Sequence, residues 1–254
     1  MKIVRVRLHD GEIAYGAVED EGIRVYLGTP FVAWEPTETL LPFAETQLLA
    51  PVFPTKVVCV GRNYVEHAVE QNAEVPDEPV IFLKPSTAVI GPGQPIALPA
   101  EAETVHHEAE LAIVVGKVSR RVRAEDAPAH IIGYTAANDV SARDLQAKDG
   151  QWTRAKGFDS FCPLGPALET ELDPIGLSIT CAVNGELKQD GNTEDMVFGV
   201  GEILEFVTRV MTLLPGDVIL TGTPAGVGPI VAGDLVDVSI ERIGSLTNPV
   251  VEGS

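Results

Sequence analysis

Long apolar runs, paired cysteines, histidines at H-x-H spacing and an excess of basic residues are all missing from this 254-residue chain. No stretch approaches the roughly 18 consecutive apolar residues of a membrane helix. The opening segment MKIVRVRLHDGE alternates charged and apolar residues and lacks the apolar core of a signal peptide, so cytoplasmic residence is the expectation. The three cysteines, Cys59, Cys162 and Cys181, are far apart and show no C-x-x-C spacing, which argues against a zinc site or a disulfide framework. Eighteen lysines and arginines face 37 aspartates and glutamates, a formal charge of −19. A surface of that sign repels nucleic acid and anionic lipid, so neither is an expected partner. A negatively charged small substrate would need a local positive centre, either a metal or a placed Arg or Lys. No G-x-S-x-G, H-E-x-x-H or G-x-x-x-x-G-K-[ST] occurs, and the usual signatures of serine hydrolases, zinc peptidases and phosphate-loop enzymes go with them.

What remains is an ordinary globular composition, 45% hydrophobic and 22% charged, enough for one large domain with a small appendage. Strand signals dominate it. Residues 2–8 and 12–18 flank the turn Asp10-Gly11, and residues 23–27 follow a second acidic turn, which reads as a small antiparallel meander. Residues 49–54, LAPVFP, read as a linker. The expected division is therefore a small N-terminal β domain over 1–53 and a main domain over 54–254. Short strands are expected at 56–60, 80–83, 134–137, 164–168, 177–183 and 235–240, and Asn184-Gly185 is the strongest hairpin signal. Residues 91–99 read as a Gly/Pro-rich loop. A short helix over 64–72 has Asn63 and Glu66 in the positions of a capping box, and residues 202–214 carry apolar side chains at helical spacing. This order is not a regular βαβ alternation. It points to a β-rich α+β fold.

The stretch with the most chemistry is 106–116, HHEAELAIVVG, which reads as one strand ending at a glycine. Alternate side chains share a face, so Glu108 and Glu110 point the same way, while Ala109, Leu111, Ile113 and Val115 suit a core. Two neighbouring carboxylates repel unless protonated or bridged by a cation, and hard oxygens suit Mg²⁺, Mn²⁺ or Ca²⁺. The other reading is a solvated sheet margin. Asp139, at an expected strand end, would make a third ligand if the fold brought it near. Of the adjacent His106 and His107, at most His106 shares the glutamates' face, and a histidine packed behind the site is a better reading than an iron ligand. His67 and Glu70 stand at i and i+3 on the short helix. They form either an oriented general base or a chance pair on a solvated face. Lys156 is either a solvated lysine or a group that holds a substrate carboxylate or developing oxyanion. Thr223 and the backbone of its glycine-rich loop could meet a small anion.

Seven segments together resemble the fumarylacetoacetate hydrolase family: GRNYVEHAVE at 61–70, FLKPS at 82–86, HHEAEL at 106–111, NDVSARD at 138–144, WTRAKGF at 152–158, VNGE at 183–186 and LTGTPAGVG at 220–228. They keep the family's order and cover most of residues 56–240. The resemblance implies a β-rich roll of mixed sheets, a homodimer, and an active site in the larger domain. It implies that Glu108, Glu110 and Asp139 hold Mg²⁺ or Mn²⁺, and that His67 and Glu70 form the His–Glu pair on a helix closing over the substrate. It further implies that Lys156 is the active-site lysine, that Arg143 and Gln146 line the substrate pocket, and that Thr223 lies near the substrate carboxylate. The expected substrate is a 2-oxo or 2-enol carboxylic acid handled through a metal-stabilised enolate. C–C bond cleavage, either acylpyruvate hydrolysis or oxaloacetate decarboxylation, is the leading expectation. Isomerisation of 2-hydroxyhepta-2,4-diene-1,7-dioate is the alternative, and a catalytically idle metal-binding relative is the reading from another class.

Overall fold

In the computed structural model, residues 1–253 are described, the side chain of Glu45 excepted. Three sheets carry the fold, with twelve, five and three strands. The fold is the β-rich mixed-sheet architecture expected, with four short α-helices: α1 (Val65–Glu70), α2 (Arg143–Asp149), α3 (Thr153–Lys156) and α4 (Val200–Val210). The N-terminal meander is longer than the sequence suggests. A fourth strand, Ala33–Leu41, pairs with Gly22–Thr29 and forms one edge of the largest sheet. Pro36 hides it, because proline disrupts a ladder and is tolerated only where one side of the strand is free. The strand Lys2–Arg7 pairs with Cys162–Glu169, so the meander and the middle of the chain share one sheet.

At the centre of that sheet lies Ala109–Val115, antiparallel to both Ile131–Asn138 and Val218–Leu220. The latter runs parallel to Val57–Gly61, which makes the sheet mixed. Ala109, Leu111, Ile113 and Val115 pack into a core shared with Ile179, Cys181, Val236 and Val238 of the five-stranded sheet. Ala112 and Val114, on the other face, join a second core with Val57, Cys59, Leu164 and Val218. Both faces are therefore buried, and the strand reads as a near-continuous apolar run rather than an alternating one. α4 lays Ile203, Leu204 and Val207 on the first core.

Three expectations need correction. The stretch 106–116 is not one strand. Val105–His107 belongs to the three-stranded sheet and Ala109–Val115 to the largest, and the chain passes from one to the other at Glu108. Asn63 does not cap α1. The cap is Tyr64, without a side-chain bond, and the Asn63 amide instead bridges distant loops. The Gly/Pro-rich region 91–99 contains a short strand, Ile96–Leu98, parallel to Gly244–Glu252. The Asn184-Gly185 signal gives the hairpin it announces, with φ of 53° and 80° as a type I′ turn requires.

One buried carboxylate sets where the two central parallel strands begin. Asp217, whose side chain has no exposed surface, accepts from Thr55 N at 3.1 Å, Thr55 Oγ1 at 2.6 Å, Lys56 N at 3.2 Å and Leu214 N at 2.8 Å. Lys56 Nζ completes the set. Burial alone pushes the Asp217 carboxyl up, but the Lys56 and Thr55 bonds outweigh it and hold the group below its usual range. A carboxyl depressed on folding adds stability above its unfolded pKa, and that stability drains away as pH falls through the folded value. Asp217→Ala should therefore cost about 3 kcal/mol at neutral pH, read by urea denaturation. The gap from the unsubstituted protein should narrow below about pH 4. A gap that widened on acidification would contradict this account.

Candidate active site

Asp139 follows directly on the strand Ile131–Asn138, and register places it opposite Glu108. The ladder pairs Glu110 with Ala137 and Ala109 with Asn138; one step further, Asp139 N donates to Glu108 O at 2.9 Å. Asn138 Oδ1 accepts from Glu108 N at 2.9 Å and fixes the chain where it changes sheets. Glu108, Glu110 and Asp139 are all buried, and each offers an oxygen within 4.8 Å of the others. The sequence left open whether Asp139 reaches the glutamates, and the antiparallel register brings it there.

Buried like charges repel, and the neighbouring groups show how the fold offsets this. Lys156 Nζ bridges Glu108 Oε2 and Asp139 Oδ2 at 2.7 Å each. Lys84 Nζ bonds to Asp139 Oδ1 and, at 3.0 Å, to Val140 O. Arg143 bonds to Glu108 Oε1. Burial pushes the Glu108 carboxyl up, but Arg143 and Lys156 prevail and hold it below the usual carboxylate range. Burial disfavours the Lys156 ammonium, yet Asp139 and Glu108 leave its pKa raised. Glu110 has no cation of its own. Its one bond is from Gly222 N at 2.6 Å, and burial together with Asp139 and Glu108 pushes its carboxyl well up. Three convergent carboxylates, one of them short of positive charge, form a donor set that fits a hard divalent cation such as Mg²⁺ or Mn²⁺.

Glu108, Glu110, Asp139, Arg143 and Lys156 floor a cavity of about 500 Å³, lined also by His67, His106, Gln146 and Thr223. α2 begins at Arg143, whose Nη1 donates to Gln146 Oε1 at 2.8 Å and whose Nε donates to His106 Nδ1 at 3.3 Å. Burial and the adjacent guanidinium push His106 down to about 4, so it is a neutral acceptor that aims Arg143. On α1, His67 Nδ1 lies 3.2 Å from Glu70 Oε2. A carboxylate there only accepts, which puts a proton on Nδ1, so that in the neutral ring the lone pair is on Nε2. Glu70 Oε1 accepts from Gly226 N at 3.1 Å, linking α1 to the glycine-rich loop. The cavity therefore draws together every sequence-derived site residue except Glu70, which stands behind His67.

Three residues escaped the sequence reading as parts of the site. Lys84 closes a strand of apolar residues, Val80–Lys84, and its place there is the one local hint that it is buried. Asn63 Nδ2 donates to Thr221 O at 2.7 Å and to Phe198 O at 3.0 Å, and sets the loop that carries Gly222 and Thr223. Gly222 has φ +98°, and a Cβ there would lie 2.7 Å from Asn63 Cβ, so this position needs glycine. The third, Gln189, lies beneath Thr223.

Residues 56–251 match the family model described as fumarylacetoacetate (FAA) hydrolase C-terminal, and residues 1–51 match one described as Rv2993c-like, N-terminal. The human protein named oxaloacetate tautomerase FAHD2A, mitochondrial, is 49% identical over 225 residues, covering 84% of this chain and 72% of its own. The crystal structure of a 2-hydroxyhepta-2,4-diene-1,7-dioate isomerase from Mycobacterium marinum superposes with a TM-score of 0.92 at 50% identity, over 99% of this chain and 98% of that one. A maleylpyruvate hydrolase from Sphingobium sp. SYK-6, solved with manganese(II) and pyruvate, superposes with a TM-score of 0.82 at 32% identity over the whole of both chains.

Removing the uncompensated carboxylate gives a test with two opposite signs. Glu110→Gln should hold or raise the melting temperature of the metal-free protein, because a buried repulsion is lost. The same change should weaken Mn²⁺ binding roughly 100-fold, about 2.7 kcal/mol, by calorimetry. A destabilised variant that keeps its Mn²⁺ affinity would refute both.

Proposed function

This chain belongs to the fumarylacetoacetate hydrolase family, and from that premise we propose that it acts on a 2-oxo carboxylic acid by way of the enolate. The observation that carries the reading is the meeting of three carboxylates, Lys156, Arg143 and His67 on one cavity, with Glu70 bonded to His67 from behind. Glu108, Glu110 and Asp139 would hold Mg²⁺ or Mn²⁺, which when bound supplies a Lewis acid for the 2-oxo carbonyl. The pyruvate and manganese reported for the maleylpyruvate hydrolase support this pairing of ligand and metal.

The chain's own residues account for the rest. Counting charges, the three carboxylates meet Lys84, Lys156 and Arg143, so a dication leaves the floor positive and suited to a dianionic 2-oxo acid. Lys156 steadies negative charge that develops on the substrate oxygen. Arg143, held by His106 and Gln146, meets a distal carboxylate. Thr223 meets an oxygen of the 2-oxo acid end. His67 Nε2 takes a proton from the carbon beside the carbonyl while the enolate oxygen gains one from solvent. In the ketonising direction the enol oxygen loses its proton and His67 delivers one to that carbon, with Glu70 stabilising the imidazolium.

Proton transfer between enol and keto forms is the reaction this arrangement supports best. It needs one oriented base, and two relatives at about half identity bear the names of a tautomerase and an isomerase. C–C bond cleavage is a second reading, supported by the likeness to a hydrolase. There His67 would take a proton from water as the water oxygen attacks the distal carbonyl of an acylpyruvate and the C–C bond breaks, or carbon dioxide would leave from oxaloacetate. Either cleavage releases pyruvate enolate.

Oxaloacetate, an acylpyruvate and 2-hydroxyhepta-2,4-diene-1,7-dioate, each assayed with Mg²⁺ and Mn²⁺, separate these outcomes. The expected result is metal-dependent decay of enol absorbance with oxaloacetate, faster than any loss of carbon dioxide. His67→Ala should slow it by about 100-fold and Glu110→Gln should abolish it. Full activity in chelated protein would sink the proposal.

A further inference from the structure

Beneath Thr223 lies a buried amide that has no contact with the cavity. Gln189, in the strand Glu186–Asn192, has no exposed surface. Its Oε1 accepts from Ala109 N at 3.0 Å and lies 3.0 Å from His107 Nδ1; its Nε2 donates to Thr223 Oγ1 at 2.7 Å and Pro224 O at 2.9 Å. All four hydrogen-bonding positions of the amide are filled.

Two of these partners have no choice of role. A backbone N–H can only donate, so the atom facing Ala109 is oxygen. A backbone carbonyl can only accept, so the atom facing Pro224 is nitrogen. The amide cannot be turned over without leaving both buried groups unpaired, at a cost of several kcal/mol by the ordinary scale for such losses (about 1–3 each). The same logic passes to the side chains. His107 Nδ1 must carry its proton, and Thr223 Oγ1 must accept. The Thr223 hydroxyl proton is then left over, with no acceptor among the described residues, on a side chain that lines the cavity.

We infer that Gln189 is a positioning residue that commits the Thr223 hydroxyl to donating into the cavity. That wall accepts a ligand oxygen with a lone pair, a carboxylate or an oxo group, and refuses an ammonium or other donor at the same place. The inference rests on the reading of the cavity as a 2-oxo acid site, and it adds a residue that never touches the ligand. Gln189→Glu is the sharpest probe, because the shape is kept and the direction of the bond is reversed. An ionised carboxylate accepts from Thr223 and draws the hydroxyl proton away from the cavity.

Two measurements test it. Neutron diffraction on the deuterated, unliganded protein should place deuterium on Gln189 Nε2 towards Thr223, and on Thr223 Oγ1 towards the cavity. Deuterium on Thr223 directed at Gln189 overturns the inference, whatever the substrate is. Calorimetry of pyruvate binding to the Mg²⁺-loaded protein at pH 8.5 gives the second. Gln189→Glu and Thr223→Val should each weaken pyruvate about tenfold, and the double variant should be no worse than Thr223→Val within about twofold. Losses that multiply would make Gln189 an independent structural residue and overturn the inference. Melting temperatures show that the variants are folded. Failure of the unsubstituted protein to bind pyruvate would strike the 2-oxo acid reading, while the deuterium positions would still decide the role of Gln189.

Discussion

Three carboxylates held out of water within a few ångströms of one another are the constraint that most of this structure answers. Left alone they would repel by several kcal/mol, and the chain offsets that cost with groups taken from distant segments. Lys84 ends one strand, Lys156 ends α3, Arg143 begins α2, and Gly222 offers its N–H from a loop. α2 and α3 are anchored in the first core through Leu145 and Ala155. The compensation is uneven, and Glu110 receives least of it. That unevenness separates a merely stable salt-bridge cluster from a donor set with an appetite for one more cation.

Much of the frame was legible in the sequence because it follows from local rules. The turn at Asn184-Gly185, the apolar run after Glu108 and the periodicity of α4 depend on neighbours a few residues apart, and they stand close to where pattern places them. The site was legible as a set of residue types and spacings. Its geometry was not. That Asp139 faces Glu108 depends on the register of two strands, and one step of slippage would turn its carboxylate to the other side. Lys84 lies just past the expected strand 80–83, and nothing near it in sequence reveals that Asp139 awaits it 55 residues on. Asn63 looked like a helix cap for a similar reason. Its chemistry suits a cap, and the loops that claimed its amide are more than 130 residues away.

The overall charge of −19 contrasts with the cavity floor, where three carboxylates are matched by three cations. Lys84, Lys156 and Arg143 are concentrated around the floor, while the surplus of acidic groups is spread over the rest of the chain. A dication held by the three carboxylates would make that floor positive and attractive to a small anion on an otherwise acidic chain. The field then sorts ligands by sign before any contact is made, more strongly at low ionic strength.

Glu70 divides its two oxygens between His67 and the backbone of Gly226. One carboxylate thus both ties α1 to the glycine-rich loop and orients the imidazole. If α1 swung away from the glycine-rich loop, the oxygen released from Gly226 would let the carboxylate turn, and the imidazole would lose the partner that fixes its tautomer. Access and reactivity are then one coordinate. In that displaced arrangement the cavity would be most open when the imidazole is least defined, and a ligand would be exchanged without meeting an oriented ring.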